Sequence, residues 1–198
     1  MNRSIKYLSL YFVVATLIFV ACKKEPEVEE IIKGCTDITA DNYNANAKES
    51  DGSCTYQKRF VGPYDIKVLC DQSSDIFTDA TMELKATPNQ KKVEFIISTS
   101  STNINFFGSI ISKDTIKVDT LIPDFQADIK NIIKNLPVSQ IVKVDLGIKS
   151  KFAITADNKK LSGKMALVLI SKDTVNYLGT KVPPLTLPDN CELNATKK

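Results

Sequence analysis

The clearest pattern in the chain runs from Val142 to Ile154. Val142, Val144, Leu146, Ile148, Phe152 and Ile154 are all even-numbered, broken only by Ser150, while Lys143, Asp145, Lys149 and Lys151 stand between them. A side-chain period of two belongs to a strand with one face on a core and the other in water. The turn-rich Ala156-Asp157-Asn158-Lys159-Lys160 follows, and Leu161, Met165, Leu167 and Leu169 then resume at odd positions. This predicts a long antiparallel hairpin with one wet face. The same alternation recurs in Tyr64, Ile66, Val68 and Cys70, in Met82, Leu84 and Ala86, in Val93, Phe95 and Ile97, in Ile104 and Phe106, and in Ile116 and Val118.

One segment departs from period two. Between Pro123 and Leu136 the apolar residues Phe125, Ile129, Ile132, Ile133 and Leu136 recur at helical spacing, with Asp124 placed to cap a helix and Pro137 to stop it. The spacing predicts one amphipathic helix laid over an end or face of the sheet, as a plug or as a lid. Seven or eight short strands with a single helix predict a mainly β fold over 59–198, an antiparallel β-barrel or β-sandwich. The inward Phe95, Phe106, Ile148 and Phe152 are the candidates to line a ligand cavity, unless they fill the interior instead.

The N-terminus changes the picture from a free domain to an exported one. Arg3 and Lys6 precede a run from Leu8 to Val20 that is apolar except for Ser9, Tyr11 and Thr16, which is the layout of a signal peptide over 1–21 and is too short to span a bilayer. The run ends in Phe19-Val20-Ala21-Cys22, which resembles the bacterial lipobox. The resemblance implies that Cys22 carries lipid and becomes the first mature residue, tethering the protein to a membrane. The charged Lys23-Lys24-Glu25-Pro26-Glu27-Val28-Glu29-Glu30 makes 22–33 a solvated tether. Its Lys-then-acid order also resembles the signal that sends some bacterial lipoproteins to the outer face of the outer membrane. Without Arg3 and Lys6 the formal charge falls from +3 to +1, so no nucleic-acid partner is expected.

Apart from Cys22, the cysteines are Cys35, Cys54, Cys70 and Cys191, an even number in an exported chain, which suggests disulfides and permits three connectivities. Pairing Cys35 with Cys54 would close a short loop, and pairing Cys70 with Cys191 would tie the first strand of the β domain to its last. In the chain-entropy account these are worth on the order of 3 and 4 to 5 kcal/mol. A four-thiolate zinc site is the rival, but it lacks the usual Cys-x-x-Cys spacing.

Two resemblances organise the remainder. Gly34-Cys35-Thr36-Asp37, Ala40, Asn42-Tyr43-Asn44, Ala47 and Asp51-Gly52-Ser53-Cys54, with Tyr56 following, resemble a short module of bacterial surface and secreted proteins, over 34–56. Asp41 stands where many copies carry a further cysteine, which implies that Cys35 and Cys54 are partners. Asp37, Asp41, Asn42, Asn44 and Asp51 offer hard oxygen ligands, so calcium is the cofactor candidate, against the alternative that these side chains build turns. Arg59 to Cys70 resembles the opening strand of lipocalin-like (calycin-like) domains of surface lipoproteins, and Asp189 to Thr196 their last strand with its partner cysteine. The chain has no Trp, so the Gly-x-Trp mark of true lipocalins is absent.

Catalysis has little to stand on. With no histidine, His-based triads and metal helices are excluded, and the seven glycines form no phosphate loop. A carboxylate pair among 23 acids is the one remaining route to a hydrolase. Three Asp-Thr-aliphatic triplets, beginning at Asp114, Asp119 and Asp173, resemble O-glycan acceptors but also ordinary strand sequence. The expectation is a non-catalytic, membrane-anchored envelope lipoprotein that binds a small apolar ligand, a glycan or a partner protein. The alternative is a structural component of a larger envelope assembly with no cavity.

Overall fold

Period-two segments with one apolar face must cover that face, and in this chain they do so by closing on themselves. The structure, a computed structural model, describes residues 30–198 except 74–76, 78, 100–102, 134, 136–138, 173 and 178–179. The signal segment, Cys22, nearly all of the tether, and Leu136, Pro137 and Asp173 lie outside the described residues. Lys33–Lys198 form one compact unit.

That unit opens with a short parallel pair, β1 (Lys33–Gly34) and β2 (Glu49–Ser50), and a one-turn helix, α1 (Gln57–Phe60). The barrel strands follow: β3 (Gly62–Cys70), β4 (Thr81–Ala86), β5 (Lys92–Ser98), β6 (Asn103–Ser112) and β7 (Thr115–Asp128). After α2 (Ile129–Ile132) come β8 (Ile141–Ile154), β9 (Lys160–Ser171), a small hairpin of β10 (Val175–Tyr177) and β11 (Thr180–Val182), and β12 (Thr186–Lys197). Neighbouring strands pair antiparallel in chain order, and β12 closes the eight-stranded barrel between β9 and β3. It is a barrel and not a sandwich, in the lipocalin-like manner. The long hairpin forms as β8 and β9, with Leu146 opposite Leu169 and Ile154 opposite Leu161.

The helix expected over 123–136 is the main correction. β7 continues as strand through this region, with Phe125 opposite Val144, Ala127 opposite Val142 and Asp128 opposite Ile141, and among its described residues only Ile129–Ile132 is helical. Phe125, Ala127 and Ile129 are all buried, so a second alternation was present, half hidden by the small Ala127. A ladder with β8 meets the backbone's hydrogen-bonding needs along four residues, which a short isolated helix could not match. Asp124 does not cap anything. It sits with φ +53° in the register shift between Ile122 and Phe125, and the cap is Asp128, whose carboxylate accepts the Lys130 N–H at 3.1 Å.

One end of the barrel is sealed by α1. Phe60 is fully buried, and the Gln57 amide donates to the carbonyls of Lys92 (2.6 Å) and Thr87 (3.0 Å) in the β4–β5 turn. Arg59 reaches two further turns, pairing with Asp114 between β6 and β7 at 2.8 Å and donating to the Asn158 side chain between β8 and β9 at 2.9 Å. Tyr64, buried on β3, donates to the Phe60 carbonyl at 2.7 Å, and Lys197 lies 5.9 Å from its ring centre.

Burial pushes the Tyr64 phenol up to about 12. The unfolded chain releases that proton near 10, so stability falls as pH rises past about 10 and keeps falling towards 12. In a spectrophotometric titration Tyr64 is expected to ionise last, and Tyr64→Phe to remove that final phase at a cost of about 1 kcal/mol. A titration whose last phase survives in the variant would refute this placement.

Candidate functional site

The four residues expected to line a cavity do meet inside the barrel, but they occupy it. Phe95 stacks on Phe106 with ring centres 4.9 Å apart and lies 5.8 Å from Phe152. With Ile148, Val68, Met82 and Leu193 they leave about 10 Å³, no more than one water's worth of space. A second apolar void, under α2 between Ile132, Val144 and Leu187, measures about 20 Å³. Phe95, Phe106, Ile148 and Phe152 are therefore core.

The cysteine module is built by its own turns. Cys35 bonds Cys54 and Cys70 bonds Cys191, so none of these four sulfurs is a free thiolate for a zinc site. Asp37 accepts from the Thr39 N–H and hydroxyl and from the Tyr56 hydroxyl. The Asn42 amide spans to the Ser53 carbonyl and accepts the Thr55 N–H, Asn44 accepts the Asn46 N–H, and Asp51 accepts the Ser53 N–H. Asp41 accepts the Lys58 N–H at 2.9 Å and so ties the module to α1. The five calcium candidates are thus occupied by donors, Asp37, Asn44 and Asp51 each in its own turn, Asn42 across the module and Asp41 on α1, and Asp37, Asp41 and Asp51 do not converge. Among the described residues the one three-residue group of potential ligands is Cys70, Asp189 and Cys191, and both of its sulfurs are in the disulfide.

The wall of the barrel opens between β6 and β7. β6 and β7 pair only beside their turn, with Ser109 opposite Lys117, Ile110 opposite Ile116 and Ser112 opposite Thr115. From there β6 follows β5 and β7 follows β8, so β6 up to Gly108 and β7 from Val118 onward are each paired on one side only. Between them runs a cleft of about 720 Å³, lined by Asn103, Asn105, Asp124, Gln126, Asp128 and Asn131 over a floor of Ile104, Ile122 and Phe125. Pro123 fits here because a proline in a strand is tolerated at an edge or bulge, where its missing N–H breaks no ladder. That proline was the one available sequence signal for the seam. The amide-bearing lining residues carry no pattern of their own in the sequence.

At one lip of the cleft Lys172 bridges two acids, 2.7 Å from Asp145 and 3.1 Å from Asp124. The Lys172 ammonium holds the Asp145 carboxyl below the ordinary value, and Asp145 and Asp124 in turn push the Lys172 ammonium up. At the other lip Asp128 accepts from Ser139, the Lys130 N–H and the Gln140 N–H, which together outweigh the effect of burial and lower its pKa. Wherever a carboxyl is displaced among the described residues, it is displaced downward, the direction that disfavours a proton donor. A second hollow of about 740 Å³ lies outside the β3–β12–β9 wall, beside Leu69, Lys149, Lys164 and Glu192, where Glu192 is paired on both sides, with Leu69 and Lys164.

Of the glycan-acceptor triplets, Thr115 and Thr120 lie half-buried in the β7–β8 ladder, opposite Ala153 and Ile148. Fold and site together define a small closed antiparallel barrel with a filled interior, a disulfide-closed module beside its sealed end, and a polar seam in its wall. Comparison with known protein families, with curated proteins and with solved structures finds no match to the chain.

Proposed function

We propose that this protein is a non-catalytic lipoprotein of the bacterial envelope, held by lipid on Cys22, that binds a partner protein on the outside of its barrel, at the β6–β7 seam. The seam carries the reading: two strand edges, each paired on one side only, border a cleft of about 720 Å³. Unpaired edges recruit strands, because an incoming backbone supplies the hydrogen bonds they lack, while side chains along the groove select its sequence. The filled interior argues against a ligand inside the barrel.

A second reading rests on the lining itself. Asn103, Asn105, Gln126 and Asn131 present amides that both donate and accept, which suits a glycan. Native mass spectrometry of protein isolated from its own cells separates the two. The expected spectrum shows a chain beginning at an acylated Cys22 with a retained polypeptide. Asn105→Lys with Gln126→Lys, both at exposed positions, is expected to lose that polypeptide by at least about tenfold, since lysine on a strand edge blocks addition. A retained saccharide would move the site to the second reading, and a polypeptide kept equally by the variant would remove the seam from both.

A further inference from the structure

The sealed end of the barrel concentrates positive charge that the fold does not use. The ties from α1 bring the β4–β5, β6–β7 and β8–β9 turns together, and the Lys197 ammonium joins β12 to them by donating to the Arg59 carbonyl. Six exposed lysines ring this end: Lys58 on α1, Lys91 and Lys92 at the start of β5, Lys113 in the β6–β7 turn, and Lys159 and Lys160 at the start of β9. Among the described residues none of the six makes an ion pair within 4 Å. Of the acids nearby, Asp114 is neutralised by a cation, and the others keep their charge while accepting from neutral donors, so they offset the lysines in part. Asp114 pairs with Arg59, Asp157 accepts from Thr155 and the Lys159 N–H, and the module's Asp37, Asp41 and Asp51 serve its turns. The opposite end is mixed in sign: Asp71, Asp79, Asp124, Asp128, Asp145 and Asp189 stand there with Lys130, Lys143, Lys172 and Lys181, and Lys172 pairs with both Asp124 and Asp145.

The second observation is where the rest of the chain attaches. The module that receives the tether at Lys33 is fixed to this same end through Asp41 and α1, and its Asp37 feels the charge of Lys113. We infer that the sealed, lysine-ringed end is a membrane-docking face that rests on anionic lipid head groups and turns the β6–β7 seam outward. This builds on the lipid-anchor reading. Lysines beside an anionic bilayer each strengthen partition by up to about fivefold, over a range set by the Debye length, so six on one face can orient a tethered barrel that a flexible linker alone would leave tumbling.

The test uses the full chain as isolated from its cells, reconstituted into vesicles of equimolar phosphatidylglycerol and phosphatidylcholine or of phosphatidylcholine alone, with lysine acetylation read by mass spectrometry. Lys58, Lys91, Lys92, Lys113, Lys159 and Lys160 are expected to label at least about threefold more slowly on the anionic vesicles, while Lys149 and Lys164 on the outer wall are unchanged. The protection should vanish at about 0.5 M salt. In the variant Lys91→Glu, Lys92→Glu, Lys159→Glu, Lys160→Glu, whose changes all fall on exposed positions at turns, Lys58 and Lys113 should lose their protection as well. Equal labelling on both vesicle types, or equal protection of the outer-wall lysines, would overturn the inference. The mass of the same sample reports separately on the anchor: if Cys22 carries no lipid, the anchor reading fails, and the face is then judged by whether the unlipidated protein co-sediments with the anionic vesicles alone.

Discussion

Replacing Asp189 with Ala is expected to destabilise the barrel by about 2 to 3 kcal/mol, near 8 °C in melting temperature. Asp189 is 4% exposed, on the inward parity of β12 shared by Cys191, Leu193 and Ala195. Its carboxylate gathers the chain just after the Cys70–Cys191 disulfide, accepting the N–H groups of Asp71 (3.1 Å), Gln72 (2.9 Å) and Ser73 (2.8 Å) and the Ser73 hydroxyl (2.6 Å). Water can replace the first two donations, because Asp71 and Gln72 are exposed, but Ser73 is 2% exposed and its donors would be stranded. Charge-assisted bonds of this kind are about twice as strong as neutral ones, so Asp189→Asn recovers only part of the loss.

The effect has a pH signature with a definite sign. Burial alone would raise the Asp189 carboxyl, but the Ser73 hydroxyl and the N–H groups of Gln72, Ser73 and Asn190 outweigh it, and the pKa lies below its ordinary 3.8. A depressed folded-state pKa adds stability that is complete above the unfolded value, near 4, and is lost as pH falls through the folded one. Urea unfolding of the wild type and Asp189→Asn should therefore diverge near neutral pH and converge towards about pH 2. Curves separated equally at both would show that the carboxylate's charge contributes nothing.

Gly163→Ala should cost about 3 kcal/mol, the upper end for added core volume. A methyl group there would run into the Lys151 carbonyl oxygen and lie 3.0 Å from Phe152 Cδ1. The first obstacle is backbone, held by the ladder on both sides through Ser150 opposite Met165 and Ala153 opposite Ser162, so relief means opening the β8–β9 hairpin. Gly108→Ala should cost less. Its methyl meets Ile116 Cγ2 at 2.5 Å and Phe95 Cε2 at 2.7 Å, side chains that can turn aside. Gly147→Ala, whose nearest neighbour would be 3.5 Å away, is the control and should be close to neutral. Thermal unfolding that failed to rank 163 above 108 above 147 would contradict this account of the wall.

How much was legible can be judged from particular residues. Val142 to Ile154 and Leu161 to Leu169 announced their strands because a one-sided core imposes period two, and Asp189 could have been found by its inward parity. Phe125, Ile129 and Ile132 fitted a helix as well as a strand over so short a stretch, and only β8, lying alongside, decided for strand. The module's Asp and Asn side chains are the same residue types whether they build turns or bind calcium, and it took their hydrogen bonds to separate the two. The seam had almost no trace in sequence, since pairing between strands belongs to the closed sheet and not to either strand.

By itself the sequence determined that the chain alternates into strands, which side of each faces inward, and that four cysteines remain to be paired beyond the N-terminal segment. These follow from local periodicity and residue chemistry, which do not depend on distant neighbours. Tertiary structure alone decided that β12 closes a barrel, that Phe95, Phe106, Ile148 and Phe152 fill it, that β6 parts from β7, and that lysines from four separate segments share one end. Each of those is a relation between segments far apart in the chain, set by closure and volume, and no local pattern carries it.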